Sequence, residues 1–324
     1  MKYKFRFYKK EYYNAMIELA RKSYEWEVPA VPVSRVEFAN TVNKYFNDSH
    51  SAWEKTVGCY FEDDNMVACT WNEACYDGEN MLMFDSKERA QDEELLLEMI
   101  KHVKTYGAGI REDGKTREVT LLVPQWNHVL QKLLEKKDFG IIEWKENINV
   151  LKFEEEPFEA KLPEGYTFAD GTQIPAVYLA MVHRHYFGYG AGTAAEYADV
   201  AFEKMRQEKH YNPKLELCVL DTEKRPVAFA NIWYDEAMEY CELEPLAVCW
   251  WERRKGIATA LMHELSNRVK EMYPSCKGME GGDQTFYTSI GYEKIAEIDK
   301  YHWEAEIIIS WEQESADKKY SELI

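Results

Sequence analysis

The sequence lacks any apolar run of about 18 residues or more, which excludes a membrane-spanning helix. Its opening, MKYKFRFYKKEYY, has charges but no uninterrupted apolar stretch, so it is not the pattern of a secretory leader. No C-x-x-C joins any of the seven cysteines (Cys59, Cys69, Cys75, Cys218, Cys241, Cys249 and Cys276), and their number is odd. The eight histidines include no H-E-x-x-H, and His183-Arg184-His185 has the wrong spacing for a helical ligand pair. Free buried thiols in a reducing cytoplasm, and no metal, are the expectation. Positive charge is also scarce: 40 Lys and Arg stand against 58 Asp and Glu, a net charge of −18. That balance argues against nucleic acid as a partner, because phosphate binding needs clustered cations. It suits a neutral or cationic small molecule better, and says nothing of oligomeric state.

What is present is enough to build real cores. Hydrophobic residues make up 46% of 324 residues, and that length implies two domains of roughly 150 residues. The segment EEEPFEAKLPEGYTF, Glu154 to Phe168, holds two prolines and a charge run, so the boundary is placed there. Each side of it reads alike. A short strand (YKFRFY; GYTFA) precedes a helical stretch (YYNAMIELARKSY; IPAVYLAMVHRHYF). Three strands joined by hairpin turns follow, with Ala68 and Ala228 at equivalent places. A helix comes next (DEELLLEMIKHVKTYG; ATALMHELSNRVKEMY). In the second copy Leu261, Leu265, Val269 and Met272 recur at helical spacing, as a core stripe should. Strand, helix and strand close each half. The repeat is of topology and not of identity. It predicts an α/β (α+β) fold of two tandem units, residues 1–153 and 162–311. Each is a mixed, mostly antiparallel sheet flanked by helices, and residues 312–324 form a tail.

The chemistry gathers in the second half. In EPLAVCWWERRKGIATALMHEL a strand gives way to a helix through Arg253, Arg254, Lys255 and Gly256. A helix N-terminus already carries partial positive charge, so three cations there ask for an anion. Glycine lets a backbone come close to a ligand, and the unpaired amides of the first turn bind phosphate oxygens. Ahead of the loop, Glu242 and Glu244 occupy alternate strand positions and share a face. Pro245 implies an irregular strand at that point.

The run LAVCWWERRKGIATALM resembles the signature of the GCN5-related N-acetyltransferase (GNAT) superfamily: a strand ending in valine, a turn, R-x-x-G-x-A and a helix. DQTFYTSIGYEKI is similar to that family's closing motif, with Tyr287 four residues ahead of Gly291 and Tyr292. The likeness covers Leu162 to about Trp311 well and the first half in outline. It departs at Trp250-Trp251-Glu252, and at Gly281 and Gln284 before the closing tyrosine. The resemblance implies an acyl-CoA-dependent N-acyltransferase, most simply moving acetyl from acetyl-CoA to a small amine by direct attack. Leu246, Ala247 and Val248 would offer backbone to the pantetheine. Arg253, Arg254, Lys255, Gly256, Ile257, Ala258 and Thr259 would hold the pyrophosphate. Tyr287 would be the acid. The spacing of Glu242 resembles the base of the histone-acetylating branch, and the EPLAV around Glu244 resembles another branch. Either could act, directly or through water. An acceptor pocket is expected from the aromatic stretch HRHYFGYGAG, with Tyr186 and Tyr189, and from Asn231 and Trp233. Aromatic walls and two glutamates would suit a cationic amine.

The first half offers FDSKERAQDEELLL where the phosphate loop should be. It has no glycine, and Asp92, Glu93 and Glu94 would repel a pyrophosphate. Leu134 stands where Tyr287 does. The first half is therefore expected to bind no CoA and to shape the acceptor side. The competing reading is a non-catalytic CoA-sensing or partner-binding protein on the same fold.

Overall fold

The computed structural model describes residues 2–27, 31–42, 50–72, 78–111, 113–187 and 198–307. Among these the strands are β1 (Lys4–Phe7), β2 (Gly58–Glu62), β3 (Asn65–Trp71), β4 (Glu79–Phe84), β5 (Gly109–Ile110), β6 (Thr116–Pro124) and β7 (Gly140–Lys152). They continue as β8 (Thr167–Asp170), β9 (Tyr211–Leu220), β10 (Pro226–Trp233), β11 (Cys241–Val248), β12 (Gly278–Gly281) and β13 (Glu293–Glu306). The helices are α1 (Tyr13–Trp26), α2 (Val33–Glu37), α3 (His50–Thr56), α4 (Glu93–Tyr106), α5 (His128–Glu135), α6 (Val177–Phe187), α7 (Ala198–Met205), α8 (Ile257–Met272) and α9 (Thr285–Ser289). No helix among the described residues is long and apolar enough to cross a membrane.

The internal repeat is real at the level of hydrogen bonds. Ala68 lies between Tyr60 and Phe84 in β2–β3–β4, and Ala228 lies between Val219 and Val248 in β9–β10–β11. The turns that end α5 and α9 match as well. Phe139 N–H bonds the Leu134 carbonyl, and Tyr292 N–H bonds the Tyr287 carbonyl. Asp138 and Gly291, at the same place in the two turns, both have positive φ, 67° and 100°.

Helical stripes seat the helices. Met16, Ile17, Ala20, Ser23 and Tyr24 bury one face of α1. In α8 the stripe Leu261, Leu265 and Val269 is buried, whereas Met272, at the last turn, is 36% exposed. A fully buried leucine contributes roughly 2 kcal/mol, so three such positions fix the face that α8 turns inward.

The sequence pattern did not foretell how the halves join. The described strands form one continuous sheet in the order β1-β2-β3-β4-β6-β13-β7-β12-β11-β10-β9-β8, with β5 against β6. The closing strand of each half has crossed over. β13 pairs antiparallel with β6 from Ile298 to Glu306, and β7 pairs antiparallel with β12 from Asn149 to Lys152. The two exchanged strands also pair with each other, from Glu293 to His302 on β13. Both strands are long: β7 continues well past GIIEW at its start, and β13 well past EKIAEI at its start. An alternating pattern says that a segment is a strand but not which sheet edge it will join.

The exchange predicts that backbone pairing, and not the connecting segment, holds the halves together. A protease site inserted at Glu155–Glu156 and cut should leave two fragments that co-elute in native size exclusion and separate in denaturant. Fragments that part under native conditions would contradict the exchange.

Candidate active site

β11 and β12 run parallel but pair at two rungs, Cys241 with Met279 and Glu242 with Glu280. Past Glu242, β11 continues to Val248 with β10 on one side and, among the described residues, no strand on the other. Pro245 has no N–H to give, and the β10–β11 ladder shifts register between Ala230 and Ile232. The result is a fork. Leu246, Ala247 and Val248 lie along it, laddered to β10 on one side and, among the described residues, to no strand on the other.

The chain then passes through a short turn, Trp250–Glu252, and enters α8. Arg254 and Gly256 both take the left-handed conformation, with φ of 66° and 78°. Left-handed residues at such a turn gather successive amides into an anion-binding concavity. Gly256 is the N-cap of α8, and no side chain caps the helix. The first backbone bond closing the helix runs from Ala260 N–H to the Gly256 carbonyl, so the amides of Ile257, Ala258 and Thr259 precede the helical ladder. Open space lies around Gly256. The three cations are exposed. Arg253 lies 5.1 Å from the Tyr186 ring, and Lys255 is steered by Glu252 at 2.9 Å. Tyr166 donates to the same Glu252 oxygen.

Tyr287, on α9, packs against the two glycines that follow Glu280. A Cβ on Gly281 or Gly282 would come within 2.9 Å or 2.8 Å of its ring. Burial raises its hydroxyl to about 12, and the nearby Glu244 and Tyr186 push the same way. It therefore stays protonated at neutral pH, as a proton donor must.

The two strand glutamates differ. Glu242 is buried, and both its oxygens are taken: the Ser34 hydroxyl donates to one, and Arg35 Nε donates to the other at 2.5 Å. Glu244 is 46% exposed at its side chain and meets Arg35 Nη2 at 3.3 Å. Trp233 is buried, and its indole N–H donates to the Glu244 carbonyl at 3.0 Å, so it props the strand from behind. Asn231 is buried opposite Glu216 on β9. Tyr186 is 38% exposed at the loop. Tyr189 lies outside the described residues.

Four residues at the fork were not singled out in the sequence. Tyr24, Ser34 and Arg35 come from the first half, and Glu280 comes from β12. The Tyr24 hydroxyl donates to Glu280 at 2.6 Å. Burial raises the Glu280 carboxyl to about 8, with Glu242 adding to the effect while Tyr24 and Arg35 oppose it. A further clasp binds the halves beside this point. Arg21 meets Asp235 at 2.7 Å, and His210 lies between Glu37 at 2.5 Å and Asp235 at 2.8 Å. Burial disfavours the charged imidazole, but the two carboxylates prevail and raise His210 to about 9. Only the strand pairing of β11 with β12 would have flagged Glu280, since GMEGG alone reads as a glycine-rich strand end.

The first half lacks these features. Asp92 caps α4 with its own carboxylate, accepting from the amides of Glu94 and Leu95 at 3.1 Å and 3.2 Å. The amides that α8 leaves open are here already met by an anion. At the corresponding fork, where Glu79 pairs with Thr120, Lys300 from β13 pairs with Glu79 at 2.9 Å and with Glu146 at 3.3 Å.

Comparison with known proteins bears on the family model that part of the chain matches and on the fold. Residues 179–280 match the model of the Acetyltransferase (GNAT) family. The matched span runs from α6 to Glu280 and includes the fork and the loop. A GCN5-related N-acetyltransferase from Sphaerobacter thermophilus is similar in structure over 95% of this chain and 98% of its own, with 15% identity and a TM-score of 0.58. A tandem GNAT protein from the clavulanic acid biosynthesis pathway covers 95% and 99%, with 12% identity and a TM-score of 0.59. At such identities the likeness shows the fold, and it extends over both halves. No curated protein matches the sequence.

The Arg35 bridge makes a direct prediction. Arg35→Met leaves the Glu242 charge buried and poorly matched and should cost roughly 3 kcal/mol in urea unfolding. Adding Glu242→Gln to that variant should recover part of the loss. An additive double variant would show that the two side chains do not interact.

Proposed function

We propose that this protein is an acyl-CoA-dependent N-acyltransferase that moves an acetyl group from acetyl-CoA to a small amine, cationic amines included. The observation that carries this is the uncapped α8 N-terminus, with two left-handed residues and three exposed cations, at the mouth of the fork. It has the charge and the open amides that a pyrophosphate needs. In this reading Arg253, Arg254, Lys255 and the amides of Gly256 to Thr259 hold the phosphates. The backbone of Leu246 to Val248 lies along the pantetheine. Acyl-CoA is the donor substrate and not a resident group.

Tyr287 keeps its proton at neutral pH and gives it to the departing sulfur. The acceptor amine sits on the α1–α2 face of the fork, beside Glu244 and Glu280. Transfer is direct: Cys218, Cys241 and Cys276 are buried, and Cys249 is buried with its thiol pushed up to about 11, so none is placed as an acyl carrier. Residues 162–311 form the acetyltransferase domain. Residues 1–153 form a unit without CoA, and each unit is completed by the other's last strand.

Two substitutions separate grip from chemistry. Arg253→Glu should weaken CoA binding by tenfold or more in calorimetry, since one cation becomes an anion at the phosphates. Tyr287→Phe should leave CoA affinity within about twofold and lower kcat on the order of a hundredfold, measured as thiol release. CoA affinity unchanged in Arg253→Glu would show that the loop is not the phosphate site.

A further inference from the structure

Glu242 and Glu280 face each other at the last rung before β11 and β12 part. Paired positions on neighbouring strands put both carboxyl groups on one face, the face covered by α1 and α2. Their surroundings divide the labour between them. Glu242 is held at both oxygens by Ser34 and Arg35. It is a fixed charge. Glu280 is part-exposed, and the Tyr24 hydroxyl binds its Oε1. Among the described residues no hydrogen bond reaches its Oε2. Glu280 also directly precedes the two glycines against which Tyr287 packs, so acid and carboxyl flank the same strand end.

We propose that Glu280 takes the proton from the acceptor amine, and that Tyr24 and Arg35 of the first half are the positioning residues that set it for that task. The inference rests on the acyltransferase reading and deepens it. The step balances without another reactant. The Glu280 carboxylate removes one proton from the ammonium. The freed nitrogen lone pair forms a C–N bond at the thioester carbonyl carbon. Collapse of the adduct breaks the C–S bond, and the electron pair leaves on sulfur. Tyr287 protonates that thiolate and recovers a proton from the same nitrogen. Glu280 releases its proton to water, so acyl-CoA and an ammonium become an amide, a thiol and one proton.

The titratable groups that act on Glu280 or that it acts on are Tyr24 on α1, Arg35 on α2, Glu242 on β11, and Cys276 and Tyr240 in the adjoining segments, while its partner on β7 is the uncharged Val150. Burial, Glu242 and Cys276 raise its carboxyl, and Tyr24 and Arg35 lower it, with a balance near 8. A base poised there is far better matched to an alkylammonium than an ordinary carboxylate is. The sign follows. The rate should rise with pH through about 8 as Glu280 ionises. Glu242→Gln removes a raising charge and should move that limb to lower pH. Tyr24→Phe removes a bond that favours the carboxylate and should move it to higher pH.

The test uses the full chain with acetyl-CoA and a panel of putrescine, glucosamine, lysine and tryptamine, with CoA binding followed separately by calorimetry. Glu280→Gln should bind CoA within about twofold of the parent and lose a hundredfold or more in kcat. It should also abolish a carboxyl band that titrates near pH 8 in pH-difference infrared spectra of the protein alone. The shifts of the limb in Glu242→Gln and Tyr24→Phe must be seen in the same band. The proposal is overturned if Glu280→Gln acylates the panel at the parent's rate. It is equally overturned if the two neighbours move neither limb nor band, or if no such band exists. Failure of the parent to bind CoA overturns the acyltransferase reading instead.

Discussion

A strand edge must find hydrogen-bond partners, and in this chain that constraint is met reciprocally. Each half reaches its fork with one strand edge open, β6 in the first and β12 in the second. Each is filled by the other half's closing strand. Because β7 and β13 also pair with each other, the two halves share one sheet and one orientation. The largest core cluster follows the same route, running from Met16 and Trp71 to Leu261 and Met279. With the halves so fixed, α1 and α2 are held against β11 and β12. The contacts of Tyr24, Ser34, Arg35, Arg21 and Glu37 are consequences of that placement.

The two forks have the same geometry and opposite chemistry. In the second half, helix α8 starts on a bare glycine with positive φ, with the amides of its first turn ahead of the helical ladder and three exposed cations beside them. In the first half Asp92 supplies the anion from within the chain. Where Glu280 meets Glu242, the first half has Glu79 beside Thr120, neutralised by Lys300. The first half has thus turned both features inward, to its own stability, while it lends side chains to the other fork.

Much of the fold could be read from the sequence, since hydrophobic period and turn chemistry are local. The meanders, the α8 stripe and the matching ends of α5 and α9 all lie within short windows. The loop was legible for the same reason: Arg253 to Ala258 are contiguous. The strand exchange was not, because β7 and β13 carry no label for their partners. Neither was Glu280, whose environment depends on Glu242 across a strand pair and on Tyr24 from the far half of the chain. Glu242 was found as an acid but not as a fixed one, since Arg35 lies 207 residues away in sequence. Trp233 read as a pocket wall, yet its indole is spent on the Glu244 carbonyl.

In the proposed function the two halves are asymmetric: one grips CoA and the other completes the acceptor side. Calorimetric titration of the full chain with CoA tests this asymmetry most directly, through the stoichiometry. The account predicts one CoA per chain. Two per chain would contradict it, because the Asp92-capped helix would then be binding phosphate as well.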